Sequence, residues 1–178
     1  MSEQRTGQRR IDRIRDQAYV ESIDALSLDD LRTRRDECLA EREYLSLLRR
    51  LVQGRAEILR AELDARGSDE DKGPLIDRLA QILAGDERQS PARGEAVKIG
   101  LPEEEMLLAR RRIERLVSDA GISDPSALDD ANLAGAVELL ANEEREVSTS
   151  RSDVIRVLDI LQDELKRRYR EDPTLVLS

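Results

Sequence analysis

Apolar residues recur at helical spacing along two long stretches of the chain. Between residues 28 and 66 they follow a seven-residue period, at Leu31, Cys38, Leu45, Val52 and Leu59. This spacing gathers them on one face of a helix, which predicts a seam for a partner helix. Ser27 with its following acids resembles a helix start, and Gly67 a helix end. The pattern therefore predicts one helix about 60 Å long, at about 1.5 Å per residue, that must lie against another.

The same criteria predict three further helices and two polar segments. Pro74 and Pro102 open shorter amphipathic segments, at about 74–84 and 102–120, and a second long helix runs from about 131 to 169. Residues 86–100 resemble a linker, and residues 1–23, with little apolar periodicity, a polar arm or a frayed helix. The tail at 175–177 is apolar and suited to docking. Residues 24–178 are thus predicted to form one all-α domain, with a connection long enough for either helix direction.

The two long helices form an internal repeat. A shift of 102 positions aligns residues 31–66 with 133–168 and gives ten identities. Leu, Glu and Arg identities are common among coil-like sequences, but here Ser46 and Arg49 also match Ser148 and Arg151. The repeat therefore predicts that the two helices share a special polar feature as well as an apolar seam.

That feature is a ladder of mostly polar residues near the middle of each helix. Its positions are Arg42, Ser46, Arg49, Gln53 and Glu57 on the first helix, and Glu144, Ser148, Arg151, Ile155 and Asp159 on the second, where only Ile155 is apolar. Spacings of three and four stack such residues in one stripe. A hydroxyl, an arginine fork and a carboxylate in fixed order suit phosphates and the edges of a guanine base. Two such stripes predict a binding site between two helices.

Composition narrows the classes of function. The formal charge of −9 opposes nonspecific nucleic-acid binding, so no direct DNA contact is expected. The chain has no histidine, which disfavours zinc sites and imidazole catalysis, and one cysteine, Cys38, which excludes an internal disulfide. No apolar run is long enough to span a bilayer. We expect a cytoplasmic protein without a membrane or metal role.

The ladder resembles the signature of the RsiG-type anti-sigma factors of actinobacteria, in which Glu, Ser, Arg, Gln and Asp occur at this spacing. The likeness extends over Leu75–Ala84, which resembles the family's connecting helix, and Arg167–Arg170, which resembles its C-terminal end. This chain departs from the signature at three positions. Arg42 replaces Glu, Glu57 replaces Asp, and Ile155 replaces Gln.

The resemblance implies an antiparallel coiled-coil hairpin whose two motifs hold a dimer of cyclic di-GMP. It further implies that the loaded protein sequesters a WhiG-type sigma factor of RNA polymerase, in the setting of sporulation, and releases it when the nucleotide falls. The implied ligand-binding residues are Arg42, Ser46, Arg49, Gln53, Glu57, Glu144, Ser148, Arg151 and Asp159. No catalytic residue is implied.

Two other readings of the stripe remain open from sequence. A charged stripe is by default a solvated face with weak ion pairs, and the chain would then be a coiled-coil adaptor or oligomerisation module independent of nucleotides. An enzyme would use paired carboxylates such as Glu57 and Asp159. Helical di-metal sites use Glu-x-x-His, however, and the chain lacks both histidine and a glycine-rich phosphate loop.

Overall fold

The computed structural model describes residues 9–67 and 101–176. Its helices are α1 (Arg10–Arg15), α2 (Leu28–Arg66), α3 (Glu103–Asp119) and α4 (Asp130–Glu171). Short 3-10 turns lie at Gln17–Tyr19, Ile23–Ala25, Pro125–Ala127 and Pro173–Val176. No strand occurs in these two ranges, and the predicted all-α class is confirmed. The short helix predicted at about 74–84 and the linker at 86–100 lie outside the described residues.

Local capping explains where the long helices begin. Before α2, the Ser27 hydroxyl accepts a hydrogen bond from the Asp30 backbone N–H at 3.0 Å and donates to the Asp30 carboxylate at 2.7 Å. Before α4, the Asp129 carboxylate accepts from the Asn132 backbone N–H at 2.8 Å. Both caps satisfy donors that a first helical turn leaves unpaired. The two caps are 102 positions apart, so the repeat includes the helix starts.

Helix α3 ends in a glycine turn. Gly121 adopts a φ of 68°, and the Ile122 N–H donates to Val117 O at 2.9 Å. This left-handed residue with its long return bond is the Schellman arrangement that glycine favours. Ile122 is buried, so the turn also anchors the chain that leads to α4.

The chain divides into two compact units, each of which contains a part of both long helices. Unit 1 consists of Met1–Ser46 and Val147–Ser178, and unit 2 of Leu47–Glu146. The apolar core of unit 1 includes Ile14, Leu31, Cys38, Leu45, Val154, Leu158, Leu161 and Leu165. The core of unit 2 includes Leu48, Val52, Ala56, Leu59, Ala109, Ile113, Val117, Leu133, Ala136 and Leu140.

Cross-helix contacts give the direction of α2 and α4 in each unit. In unit 1, Arg32 donates to the Tyr169 hydroxyl at 3.2 Å, and farther along α2, Ser46 meets Arg151 at 3.0 Å. In unit 2, Arg49 meets Glu144 at 3.0 Å and Arg66 meets Asp130 at 3.2 Å. As numbers rise along α2 they fall along α4 in both cases. The pairing is antiparallel in each unit, as the resemblance implied.

The prediction of a polar arm or a frayed helix is refined for residues 9–23. This segment forms α1 and the turn Gln17–Tyr19, and it packs within unit 1 through Ile14, which is 1% exposed. Arg10 donates to the Glu41 carboxylate at 2.5 Å, and Arg15 pairs with Asp153 at 2.8 Å. The segment is held by one buried side chain and by ion pairs to the long helices, a tertiary attachment that leaves no apolar period in the sequence.

Candidate functional site

The ladder residues lie beside the buried seam of each long helix. Ser46, Arg49 and Gln53 directly follow the buried residues Leu45, Leu48 and Val52. On α4, Ser148, Ile155 and Asp159 directly follow Val147, Val154 and Leu158. Consecutive residues differ by about 100° around a helix, so the stripe flanks the seam without entering it. Side chains there are placed to reach across to the partner helix.

In unit 2, three ladder residues form a hydrogen-bonded group, which we call the Glu144 cluster. Arg49 Nε donates to Glu144 Oε1 at 3.0 Å, and Gln53 Nε2 donates to the same oxygen at 3.2 Å. The side chains of Arg49 and Glu144 are 40% and 27% exposed. The pair is thus half-buried, and its charges neutralise each other locally.

A second group in unit 1, which we call the Arg151 cluster, has a different composition. Arg151 Nε donates to the Ser46 hydroxyl at 3.0 Å, and that hydroxyl donates to the Arg42 carbonyl oxygen at 2.7 Å. The Arg42 guanidinium itself donates to Glu43 on its own helix, at 2.9 Å. The cross-helix contact in unit 1 therefore joins a cation to a neutral hydroxyl.

The remaining ladder residues lie near these groups or on the surface. Glu57 is exposed and, with Gln53 and Glu144, lines a shallow groove of about 340 Å³ in unit 2. Ser148 is half-buried, and its carbonyl oxygen accepts from the Ser152 hydroxyl at 3.0 Å. Asp159 is exposed. The structure therefore brings the side chains of five of the nine predicted residues, and the carbonyl oxygen of Arg42, into the two clusters. It leaves both terminal carboxylates open to solvent.

Two arginine clamps were not predicted as special, although the repeat contains them. In unit 1, Arg168 donates to the backbone oxygens of Ile23, Asp24 and Leu26 at 2.7–3.0 Å. In unit 2, Arg66 donates to the oxygens of Pro125, Ser126 and Leu128 at 2.5–3.3 Å. Each clamp fastens the turn before one long helix to the end of the other.

The carboxylate that orients each clamp also repeats. Glu62 accepts from Arg66 at 3.0 Å, and Glu164 accepts from Arg168 at 2.7 Å. The adjacent Arg167, and then Arg168, lower the pKa of Glu164 to about 2. The identities Arg66/Arg168 and Glu62/Glu164 were the available signal, but sequence gave no hint that the acceptors are backbone oxygens.

A second pair of equivalent contacts extends the repeat upstream. Arg10 pairs with Glu41 in unit 1, at 2.5 Å, and Arg112 pairs with Glu143 in unit 2, at 2.8 Å. Both contacts are related by the same shift of 102. The two contacts have a counterpart in the sequence, because Arg10-Ile11-Asp12-Arg13-Ile14 is similar to Arg112-Ile113-Glu114-Arg115-Leu116. Both segments lie upstream of the aligned residues 31–66 and 133–168.

The described residues give little support to a role for the thiol, for a metal ion or for a membrane-spanning helix. Cys38 is buried, and burial raises the pKa of its thiol to about 11, so the reactive thiolate is disfavoured. Within residues 9–67 and 101–176, no group of three or more Cys, Asp or Glu side chains is placed to hold a metal ion. In the same ranges no helix is long and apolar enough to cross a membrane.

Comparison with known proteins adds one match. Residues 17–83 match the model of the RsiG-like family, a span that covers the first ladder and the predicted segment at 74–84. No curated protein matches the chain. The RsiG-like family is one of anti-sigma factors, which are regulatory proteins and not enzymes. The match agrees with the resemblance seen in the ladder: over residues 17–83 the chain is similar to the RsiG-like family.

Proposed function

We propose that this protein sequesters a WhiG-type sigma factor of RNA polymerase, under the control of cyclic di-GMP bound by the ladder residues of α2 and α4. The RsiG-like match supports an anti-sigma function, and hence a sigma factor as the partner. The specific sigma factor, the nucleotide and a cytoplasmic setting are our inference. DNA and membranes have no part in it.

One observation carries the nucleotide part of the proposal. Arg49 in unit 2 and Arg151 in unit 1 each donate a hydrogen bond to a side chain of the opposite long helix. Surface arginines on a solvated face commonly pair along their own helix, as Arg167 does with Glu164 and Glu171. Two arginines at equivalent ladder positions that each reach across to the partner helix favour a ligand-binding role over a merely solvated stripe.

The chemistry of the ladder fits a guanine nucleotide. The guanidinium of Arg49 or Arg151 offers a planar fork to a phosphate or to guanine O6 and N7. The exposed carboxylates of Glu57 and Asp159 accept from the guanine N1 and N2 hydrogens, and the serine hydroxyls of the ladder donate to phosphate oxygens. Because a cyclic di-GMP molecule carries two negative charges, arginines are needed against the overall acidity of the chain.

Control of sigma capture requires a difference in affinity. A ligand shifts a population only to the extent that it binds one arrangement more tightly than the other. A shift from about 10% to 90% of the sigma-binding arrangement requires an affinity ratio of roughly 80, or about 2.6 kcal/mol. Contacts from two arginines are of the right size, since each bidentate contact to guanine contributes about 1–3 kcal/mol.

Equilibrium binding of fluorescently labelled cyclic di-GMP tests the proposal. We expect Arg49→Ala and Arg151→Ala each to weaken binding by roughly 5- to 150-fold, the equivalent of one such contact. Arg55→Ala is the matched control, because Arg55 is an exposed arginine on α2 that lies outside the ladder. Capture of purified WhiG-type sigma factor, with and without nucleotide, gives the second readout.

Loss of nucleotide binding should be accompanied by loss of sigma capture. If the Arg49→Ala/Arg151→Ala double variant captures sigma factor as well as the original chain, nucleotide control is refuted. If the original chain captures sigma factor equally with and without cyclic di-GMP, the protein is a nucleotide-independent adaptor.

A further inference from the structure

We propose that Glu144 is an internal competitor for Arg49, and that Arg42 at the equivalent position leaves Arg151 without such a competitor. The two ladder arginines then differ in their readiness for an anionic group: one that binds Arg151 displaces a neutral contact, whereas one that binds Arg49 must displace Glu144. This inference rests on the proposed function, since it concerns two arginines that the proposal assigns to the ligand.

The first step is the charge reversal between equivalent positions. Arg42 and Glu144 are related by the shift of 102, as are Arg49 and Arg151. In unit 2 the Glu144 carboxylate holds Arg49 at 3.0 Å, and Gln53 adds a second hydrogen bond to the same oxygen. A single difference in residue type thus gives one ladder arginine an ionic partner.

The second step is the state of Arg151. Its equivalent competitor would be residue 42, which is an arginine and is directed to Glu43 on its own helix. In the part of the chain that the structure describes, Arg151 has no carboxylate partner, and its Nε donates to the neutral Ser46 hydroxyl. A phosphate that approaches Arg151 therefore displaces at most a neutral contact, and Arg42 adds a second positive charge to the same unit.

The third step is the strength of the Glu144 contact. Its guanidinium and carboxylate side chains are 40% and 27% exposed, so water screens their attraction. Ion pairs with this exposure change an equilibrium by about 1.4- to 5-fold. A competitor of that strength lowers the affinity of the site for its ligand without abolishing binding, which suits a reversible regulatory site.

Two charge changes test the inference in opposite directions. Glu144→Gln keeps the shape of the side chain but removes its charge, and we expect cyclic di-GMP to bind about two- to fivefold more tightly. Arg42→Glu supplies the missing competitor for Arg151, and we expect binding to weaken by about two- to fivefold. Tighter binding by Arg42→Glu, or weaker or unchanged binding by Glu144→Gln, overturns the inference.

Matched controls separate local competition from net charge. Glu114→Gln removes the same charge from an exposed site on α3, and Arg55→Glu makes the same reversal on α2, about 140° around the helix from Arg42. We expect both to change the affinity by less than twofold. If they match the effects of the two ladder variants, net charge explains the result and the inference fails. Far-UV circular dichroism and the thermal midpoint verify that each variant is folded.

Inorganic pyrophosphate, titrated in parallel, distinguishes this inference from the proposed function. If Glu144→Gln binds pyrophosphate more tightly than the original chain, and Arg42→Glu more weakly, while none binds cyclic di-GMP, the inference stands and the proposed ligand is refuted. If cyclic di-GMP binds but shows no such order among the variants, the proposed function stands and the inference is refuted. A chain that binds neither probe refutes both.

Discussion

Units 1 and 2 use the same scaffold contacts but differ in their ladder clusters. Each unit has an arginine clamp on the turn before a long helix, Arg168 in unit 1 and Arg66 in unit 2. Each also has an arginine from a preceding helix on a glutamate of the long helix, Glu41 or Glu143. The clusters differ, because Arg49 donates to a carboxylate in unit 2, whereas Arg151 donates to a hydroxyl in unit 1. Equal scaffolds therefore do not imply equal binding chemistry.

The scaffold contacts also differ in burial, and this difference predicts unequal stability. Glu41 is 4% exposed and is the one buried charged residue in the described part of the chain. Its equivalent, Glu143, has a side chain that is 15% exposed, and the guanidinium of its partner Arg112 is 41% exposed. Unit 1 is thus more dependent on its ion pair than unit 2.

The largest effect is expected in the apolar seam, where the two units place different residues at equivalent positions. Leu140 in unit 2 and Cys38 in unit 1 are both fully buried. Leu140→Ala should lower the free energy of unfolding by about 2–5 kcal/mol, because it removes a large side chain and leaves a cavity. Cys38→Ala should cost about 1 kcal/mol. Urea titration followed by circular dichroism measures both.

Leu108→Ala is the control for that comparison. Leu108 is 55% exposed on α3, so its loss should change the free energy of unfolding by less than about 0.5 kcal/mol. If Leu140→Ala and Cys38→Ala lower the free energy of unfolding equally, Leu140 contributes no more to packing in unit 2 than Cys38 does in unit 1.

The second effect concerns the two equivalent ion pairs. Arg10→Ala leaves the buried Glu41 carboxylate without this partner, and we expect a loss of about 1–3 kcal/mol in urea unfolding. Arg112→Ala should cost less than about 1 kcal/mol, because water can replace its exposed guanidinium. A larger cost at Arg112 would contradict the ranking of the two units. In a Glu41→Gln background the penalty of Arg10→Ala should shrink.

The smallest effect is a pH dependence at Glu164 in unit 1. The pKa of Glu164 is lowered from 4.5 to about 2, first by Arg167 and then by Arg168. The unfolded chain therefore takes up this proton at higher pH than the folded chain. The resulting stability is present above about pH 4.5 and is lost as pH falls towards 2.

Substitution of Glu164 measures that contribution. Glu164→Gln should flatten the fall in unfolding free energy between about pH 4.5 and 2, and Arg167→Ala should flatten it in part. The change should be small, because pairs three or four residues apart on one helix contribute a few tenths of a kcal/mol each. An unchanged acid slope in Glu164→Gln would show that this carboxylate does not contribute to it.

The long helices were predictable because their signals are local and numerous. The seam from Leu31 to Leu59 has five apolar positions at seven-residue spacing, and the helix predicted at about 28–66 is observed at Leu28–Arg66. Helix α1 was predicted only as a polar arm or a frayed helix, because six residues with Ile11 and Ile14 contain too few apolar positions to define a period. Its position depends on Arg10 and Arg15, whose partners are 31 and 138 positions away.

The ladder was likewise predictable as a set but not as a network. Spacing alone indicated that Arg49 and Arg151 lie on stripes of equivalent helices. It did not indicate that Gln53 would join Arg49 on one Glu144 oxygen, or that Ser46 would receive Arg151. Those pairings depend on how far one helix is shifted along its axis relative to the other. Heptad spacing does not fix that shift, because the apolar seam recurs after every seven residues.

The sequence by itself determined two long helices, their apolar seams, and equivalent polar stripes beside those seams. Their relative direction was decided by tertiary structure alone, because a long connection permits both. The direction matters physically. In an antiparallel pair the residue numbers rise along one helix as they fall along the other, which sets the level at which each polar side chain meets its partner. That geometry is what allows Arg49 to meet Glu144 and Arg151 to meet Ser46.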